Sequence, residues 1–133
     1  MKEKRLKRSE KRKHSNMVVA VDLDGTIIKD WSGSIFEFGE LQKGAVDYMK
    51  KIRKAGYTIM IHTCRLTPSV YKYANDTQEL ALVRIEKFLD DNDIPYDAFW
   101  VGEGKPVADF YIDDRGIRFE TWKQVWREMN ERM

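Results

Sequence analysis

Val18-Val19-Ala20-Val21-Asp22-Leu23-Asp24-Gly25-Thr26 decides how the rest of this chain is read. A short apolar, β-branched run ends abruptly in two acids, a glycine and a threonine. Such a run reads as a buried strand of a parallel sheet. The acids sit at its carboxyl end, where open α/β sheets place their ligands. Asp22 and Asp24 are two residues apart, so a continuing strand points both to one face. Gly25 lets the chain turn sharply straight after them. This arrangement suits one carboxylate that attacks, a second that manages protons, and a metal held between them.

Outward from that stretch, strands and helices alternate. Residues 27–42, rich in Gly, Ser and aromatics, read as a turn and short flap over the strand end, with Trp31, Phe36 and Phe38 packing it down or touching substrate. A helix is expected over 44–55, with Val46, Met49 and Ile52 on one face and Gly56 as its stop. A strand follows over 57–62. A second helix over 77–91 has Thr77 as N-cap and Leu80, Val83, Phe88 and Leu89 inward. Strands over 97–101 and 108–112 precede a last helix over 121–133. Its Trp122, Val125, Trp126 and Met129 fall at i, i+3, i+4 and i+7, a stripe that reads as core or as a subunit contact. The alternation gives an α/β fold with a doubly wound parallel sheet.

The chain has 133 residues, the size of one domain, and its net charge of +2 hides a split. Residues 1–16 hold eight Lys/Arg against two Glu, whereas the remainder holds sixteen against twenty. The basic arm at 1–16 is expected to be disordered alone, and its functional reading is an electrostatic contact with nucleic acid or another polyanion. Residues 17–133 form the single folded domain. No apolar run approaches the roughly 20 residues of a membrane span, and no apolar stretch follows the basic start as in a secretory signal. The lone cysteine, Cys64, excludes an internal disulfide and fits a reducing, cytoplasmic compartment.

The string Asp22-Leu23-Asp24-Gly25-Thr26 after an apolar strand resembles the first motif of the haloacid dehalogenase superfamily, most of whose members are magnesium-dependent phosphatases. Residues Tyr57-Thr58-Ile59-Met60-Ile61-His62-Thr63 resemble its second motif, Lys105-Pro106 its third, and Ala108-Asp109-Phe110-Tyr111-Ile112-Asp113-Asp114 its fourth, in the right order. The resemblance implies a HAD-like Rossmannoid sheet. Neither the flap nor the stretch between the second and third motifs has room for a folded cap domain, so the chain resembles the capless branch, whose open site takes large substrates or is closed by a neighbouring subunit.

The resemblance also implies roles. Asp22 would attack phosphorus and form an aspartyl-phosphate. Asp24 would protonate the leaving oxygen and then activate water. Mg²⁺ would be held by Asp22, the Asp24 carbonyl and Asp113, with Asp114 acting through water. Thr63 would bind a phosphoryl oxygen through its hydroxyl and N–H, and Lys105 would steady the transferred group, reaching the site from a loop too short for a helix. Apart from the resemblance, Arg65 follows Thr63 by two residues and reads equally as a fork onto phosphate or as a surface arginine. His62 and Cys64 alternate with Thr63 and so point away from it. No base is placed to make Cys64 a nucleophile. The substrate class implied is a sugar phosphate or nucleotide, and a homo-oligomer is a reasonable assembly. Two other functions fit the same residues: a phosphatase acting on nucleic-acid ends held by the arm at 1–16, and a non-catalytic phosphate-binding or scaffolding domain.

Overall fold

The computed structural model of the protein describes residues 17–102 and 104–133. The basic arm at 1–16, with the nucleic-acid contact expected of it, lies outside the described residues. Four short strands, β1 (Val18–Val21), β2 (Thr58–Ile61), β3 (Ala98–Phe99) and β4 (Phe110–Ile112), form one sheet in the order β3-β2-β1-β4, with every pairing parallel. The helices are α1 (Ala45–Lys54), α2 (Pro68–Tyr71), α3 (Gln78–Asp91) and α4 (Trp122–Glu131), and a 3₁₀ turn spans Cys64–Leu66. This is a Rossmann-like α/β arrangement. The 3₁₀ turn and α2 fill a stretch the sequence left unassigned.

The sheet carries its own register marks. Asp97 and Asp109 each precede a strand and each bond twice to its neighbour. Asp97 accepts from Ile59 N–H (2.8 Å) and donates its own N–H to Ile59 O (2.8 Å). Asp109 does the same with Val18 N–H (2.8 Å) and Val18 O (2.8 Å). These paired bonds fix where β3 and β4 begin against β2 and β1.

Parallel partners Val19 and Ile59, and Val21 and Ile61, lie on one face of the sheet. All four are buried in a single cluster with Met49 of α1 and with Ala81, Ile85 and Leu89 of α3. Both crossovers run from β1 outward through β2 to β3, so one handedness puts α1 and α3 on the same face. The helix starts follow from their caps. Thr77 Oγ1 accepts from Leu80 N–H (3.2 Å), and Thr121 Oγ1 accepts from Gln124 N–H (3.1 Å).

Three expectations change. On α3 the inward face is Ala81, Ile85 and Leu89, whereas Leu80 and Val83 are exposed. The apolar positions on that helix run too widely round it for spacing alone to choose the buried set. On α4 the aromatic stripe is not core: Trp122 is 77% exposed and Trp126 67%, and the buried residue is Gln124. Cover on both faces, which a doubly wound sheet requires, is therefore not completed by α4 among the described residues. Phe110 and Ile112 of β4 remain exposed beside α1.

The reassigned face of α3 is testable by urea denaturation. Leu89→Ala is expected to lose about 2–5 kcal/mol, as a filled core position does. Leu80→Ala, on the same helix, should stay within about 0.5 kcal/mol of wild type.

Candidate functional site

Because β1, β2 and β4 run the same way, their carboxyl ends open onto one rim, and the strand order reverses between β1 and β4: the chain moves outward from β1 through β2 to β3, then returns to the other side of β1 as β4. Crevices at such a reversal are the usual ligand positions of open α/β sheets. Asp22 N–H donates to Ile112 O (2.9 Å), extending the β1–β4 pairing by one residue. Leu23 then drops fully into the core, and its carbonyl accepts from Thr26, Ile27 and Ile28 N–H (3.3, 3.0 and 2.9 Å). With Leu23 pinned inward, Asp22 and Asp24 both line the cavity above, of about 520 Å³, together with Gly25, Asp30, Trp31, Asp114 and Arg115. A second cavity, of about 440 Å³, shares Asp22 and Arg115 and adds His62, Lys105, Tyr111 and Asp113.

Burial pushes the Asp22 carboxyl up to about 6, a hydrogen bond from Leu23 N–H (2.8 Å) opposes the rise, and the charges of Asp114, Asp24 and Asp113 add to it. Three further acids thus act on one oxygen pair. Gly25 makes room for one of them. It has φ +87°, and a Cβ there would meet the Asp114 carboxylate at 2.4–2.8 Å. Asp114 therefore lies in a cradle that any side chain at position 25 would fill. Asp113 is turned to its own loop, where its Oδ1 accepts from Arg115 N–H (2.9 Å) and Gly116 N–H (2.5 Å). Adjacent residues leave a strand in opposite directions, so Asp113 lines the second cavity and Asp114 the first.

These donors suit a hard divalent cation in kind. No group of three acidic, His or Cys side chains converges on a metal-binding point among the described residues. Mg²⁺ is commonly held by one or two carboxylates and keeps several waters, so Asp22 and Asp114 with the Asp24 carbonyl match its habits.

The second strand delivers the other half of the rim with its faces exchanged. Thr63 is buried, and its Oγ1 accepts from Arg65 N–H (3.1 Å) as the cap of the 3₁₀ turn. It lines neither cavity; His62 and Cys64 do, with Thr67 beside them. The alternation along the strand is as expected. The assignment of faces is not, because Ile59 and Ile61 occupy the core side and Thr63 continues their parity. Burial lowers His62 from its ordinary value against the pull of Asp113. Although Cys64 reaches solvent, desolvation and the charges of Asp24 and Asp22 push its thiol up, away from a thiolate nucleophile.

Arg65 has a partner other than phosphate. It is 1% exposed, and its guanidinium grips Asp24 with two parallel bonds, Nε to Oδ2 and Nη2 to Oδ1, both 2.8 Å. The cations on the cavity walls are instead Arg115 and Lys105. Lys105 comes from a stretch after β3 with no helix among the described residues, and its Nζ lies 4.3 Å from the centre of the Tyr111 ring. Tyr111 is in turn fixed by its hydroxyl, which donates to Pro106 O and accepts from Ala108 N–H (3.2 Å). Tyr111 pairs in register with Ala20, and both line the second cavity.

Neither a protein-family profile nor a curated protein matches the chain. Solved structures do share its fold. A conserved protein from Bacteroides thetaiotaomicron is 21% identical, with a TM-score of 0.56, over 88% of this chain and 92% of that one. A crystal structure from Vibrio cholerae is 23% identical, with a TM-score of 0.53, over 88% of this chain and 99% of that one. At these identities the likeness establishes the fold alone.

The raised Asp22 has a thermodynamic consequence. Between its ordinary value of 3.8 and about 6, the folded chain holds this proton more tightly than the unfolded chain does. Its effect on stability is thus most favourable below that window and declines as pH rises through about 6. In EDTA, Asp22→Asn is expected to melt above wild type near pH 7.5 and to lose that advantage near pH 4.5. Thermal melts at the two values check this, and a constant difference would refute it.

Proposed function

We propose that the protein is a Mg²⁺-dependent phosphomonoesterase of the haloacid dehalogenase type, acting through an aspartyl-phosphate on Asp22. The observation that carries this reading is the meeting of Asp22 and Asp24 on one cavity wall with Asp114 in the Gly25 cradle and with the cations Arg115 and Lys105. A phosphate monoester is anionic and repels nucleophiles, and its spontaneous hydrolysis is among the slowest known. A site for it needs an anionic nucleophile offset by positive charge, a proton donor, and room for a leaving group. Each is represented here.

Lys105 and Arg115 would receive the phosphoryl oxygens, with Arg115 offering a planar fork. An Asp22 oxygen would attack phosphorus as the bond to the leaving oxygen breaks, and Asp24, having first taken a proton from solvent on an oxygen lone pair that Arg65 leaves free, would pass it to that oxygen. Asp24 would then take a proton from water, the water would attack the phosphoryl group, and phosphate would leave with the Asp22 carboxylate restored. Asp22, Asp114 and the Asp24 carbonyl would hold Mg²⁺, which would supply positive charge toward the phosphoryl oxygens. Asp113 would fix the loop that carries Asp114 and Arg115.

Thr63 has no direct part in this scheme. Its hydroxyl shapes the turn that presents Arg65. The leaving group would sit toward Asp30 and Trp31 at the mouth, where no cap domain intervenes among the described residues. An open mouth with an exposed indole suits the sugar phosphate or nucleotide class.

Turnover of 4-nitrophenyl phosphate should require Mg²⁺, stop in EDTA and fall about 10³-fold or more in Asp22→Asn. Lys105→Ala should lower kcat/KM by about 10-fold to 100-fold. Undiminished turnover in Asp22→Asn would exclude the covalent route.

A further inference from the structure

We infer that Arg65 is a positioning residue for Asp24, and that it ties the acid/base carboxylate to the flap at 27–42. The inference rests on the phosphatase reading above. Its place in the sequence suited phosphate or the surface equally, so the role argued here comes from its surroundings.

The guanidinium is fully withdrawn from solvent, and the Asp24 side chain it holds is 10% exposed. Two charges removed from water are tolerated only where geometry is good and the remaining donors are satisfied. Each guanidinium nitrogen has a partner. The fork meets both carboxylate oxygens, and Nη1 donates to Ile35 O (3.3 Å) at the buried centre of the flap. Two flap rings complete the setting, Phe38 with its centre 4.3 Å from the guanidinium carbon and Trp31 with its centre at 4.9 Å. Phe38 is stacked on Phe88 of α3 (4.4 Å, 9°), which anchors the flap to the core. Trp31 reaches the cavity that Asp22 and Asp24 line.

One side chain therefore joins the proton-handling acid, the backbone of the flap and the aromatic ring at the mouth. A carboxylate held by two bonds has one rotamer, and misplacement by about 1 Å at a reacting centre can slow a step about 10²-fold. Lysine would keep the charge but cannot present two parallel donors. Asp24 serves the leaving oxygen, so the defect must grow with the need to protonate that oxygen. Phenoxide leaves poorly without a proton, whereas 4-nitrophenoxide leaves well. Both esters are of nearly the same size, and kcat/KM covers only the steps through transfer to Asp22.

The experiment compares kcat/KM for phenyl phosphate and 4-nitrophenyl phosphate, with Mg²⁺, in wild type and in Arg65→Lys. The expected result is a loss at least about tenfold larger for phenyl phosphate. Equal losses on the two esters would reduce Arg65 to a packing role, and no loss on either would remove it from the reaction. Should Arg65→Lys fail to give a cooperative melt, Phe38→Leu keeps the ion pair and removes a ring beside the guanidinium. A loss about threefold larger for phenyl phosphate supports the link to the flap, and equal or absent losses overturn it. If wild type turns over neither ester, the phosphatase reading fails and takes this role with it. If wild type turns over both, a failed comparison removes the positioning role alone.

Discussion

The parallel pairing of β1 with β2 on one side and β4 on the other is the constraint on which everything else depends. Parallel strands share a direction, so the residues that follow them emerge at a common rim: Asp22 after β1, His62 after β2, Asp113 after β4. The chain supplies few other ways to bring these segments together, since they are far apart in sequence. Register matters as much as direction. A slip of one residue would exchange the two faces of a strand and send Asp22 toward the core. Asp97 and Asp109 guard against that slip from the opposite end of the sheet, where each bonds twice to a single residue of the adjoining strand. Aspartates far from the rim thus contribute to its geometry.

At the rim the balance of charge is uneven. Four acids act together, and desolvation keeps the carboxyl of Asp22 well above the ordinary carboxylate range. Two cations, Lys105 and Arg115, line the open side, and a third, Arg65, is buried against one acid only. Such a rim has an excess of negative charge close to a buried carboxylate. That excess is the electrostatic reason a divalent cation suits it. It also separates the roles of the two arginines. Arg115 faces the space a substrate would enter, and Arg65 faces the protein.

Much of this was legible in the sequence, and the failures have physical causes. The apolar run ending at Asp22 and the two-residue spacing to Asp24 sufficed for a buried parallel strand with both acids on one side. Short-range chemistry also read well: Thr77 caps α3, and the stretch after β3 was too short for a helix. Three readings went astray where a choice of face was needed. Period 2 shows that Thr63 opposes His62 and Cys64 but not which side meets the core; Ile59 and Ile61 decide it. On α3 the apolar residues outnumber the positions the sheet can bury, so Leu80 and Val83 are left outside. On α4 a regular apolar stripe stays largely exposed, with Trp122 set only against the Phe119 ring among the ring pairs of the described residues. Arg65 was misread for a different reason. Its partner is 41 residues away in sequence, and an arginine beside a phosphate-type motif looks the same whether it faces substrate or carboxylate.

The burial of Arg65 carries one more consequence. A buried ion pair adds little net stability compared with an apolar pair of equal volume. What the pair does provide is a unique arrangement, since no other orientation of Arg65 satisfies the same oxygens and the Ile35 carbonyl. The flap has only isolated bridges, Ile28 with Asp24 and with Leu41; its base is fixed by buried Ile27 and Ile28, and its tip by Ile35, Phe38 and this guanidinium. An irregular segment placed by a charged group is placed only while that group keeps its counter-charge. The segment over the rim and the acid beneath it are therefore held in part by the same bonds.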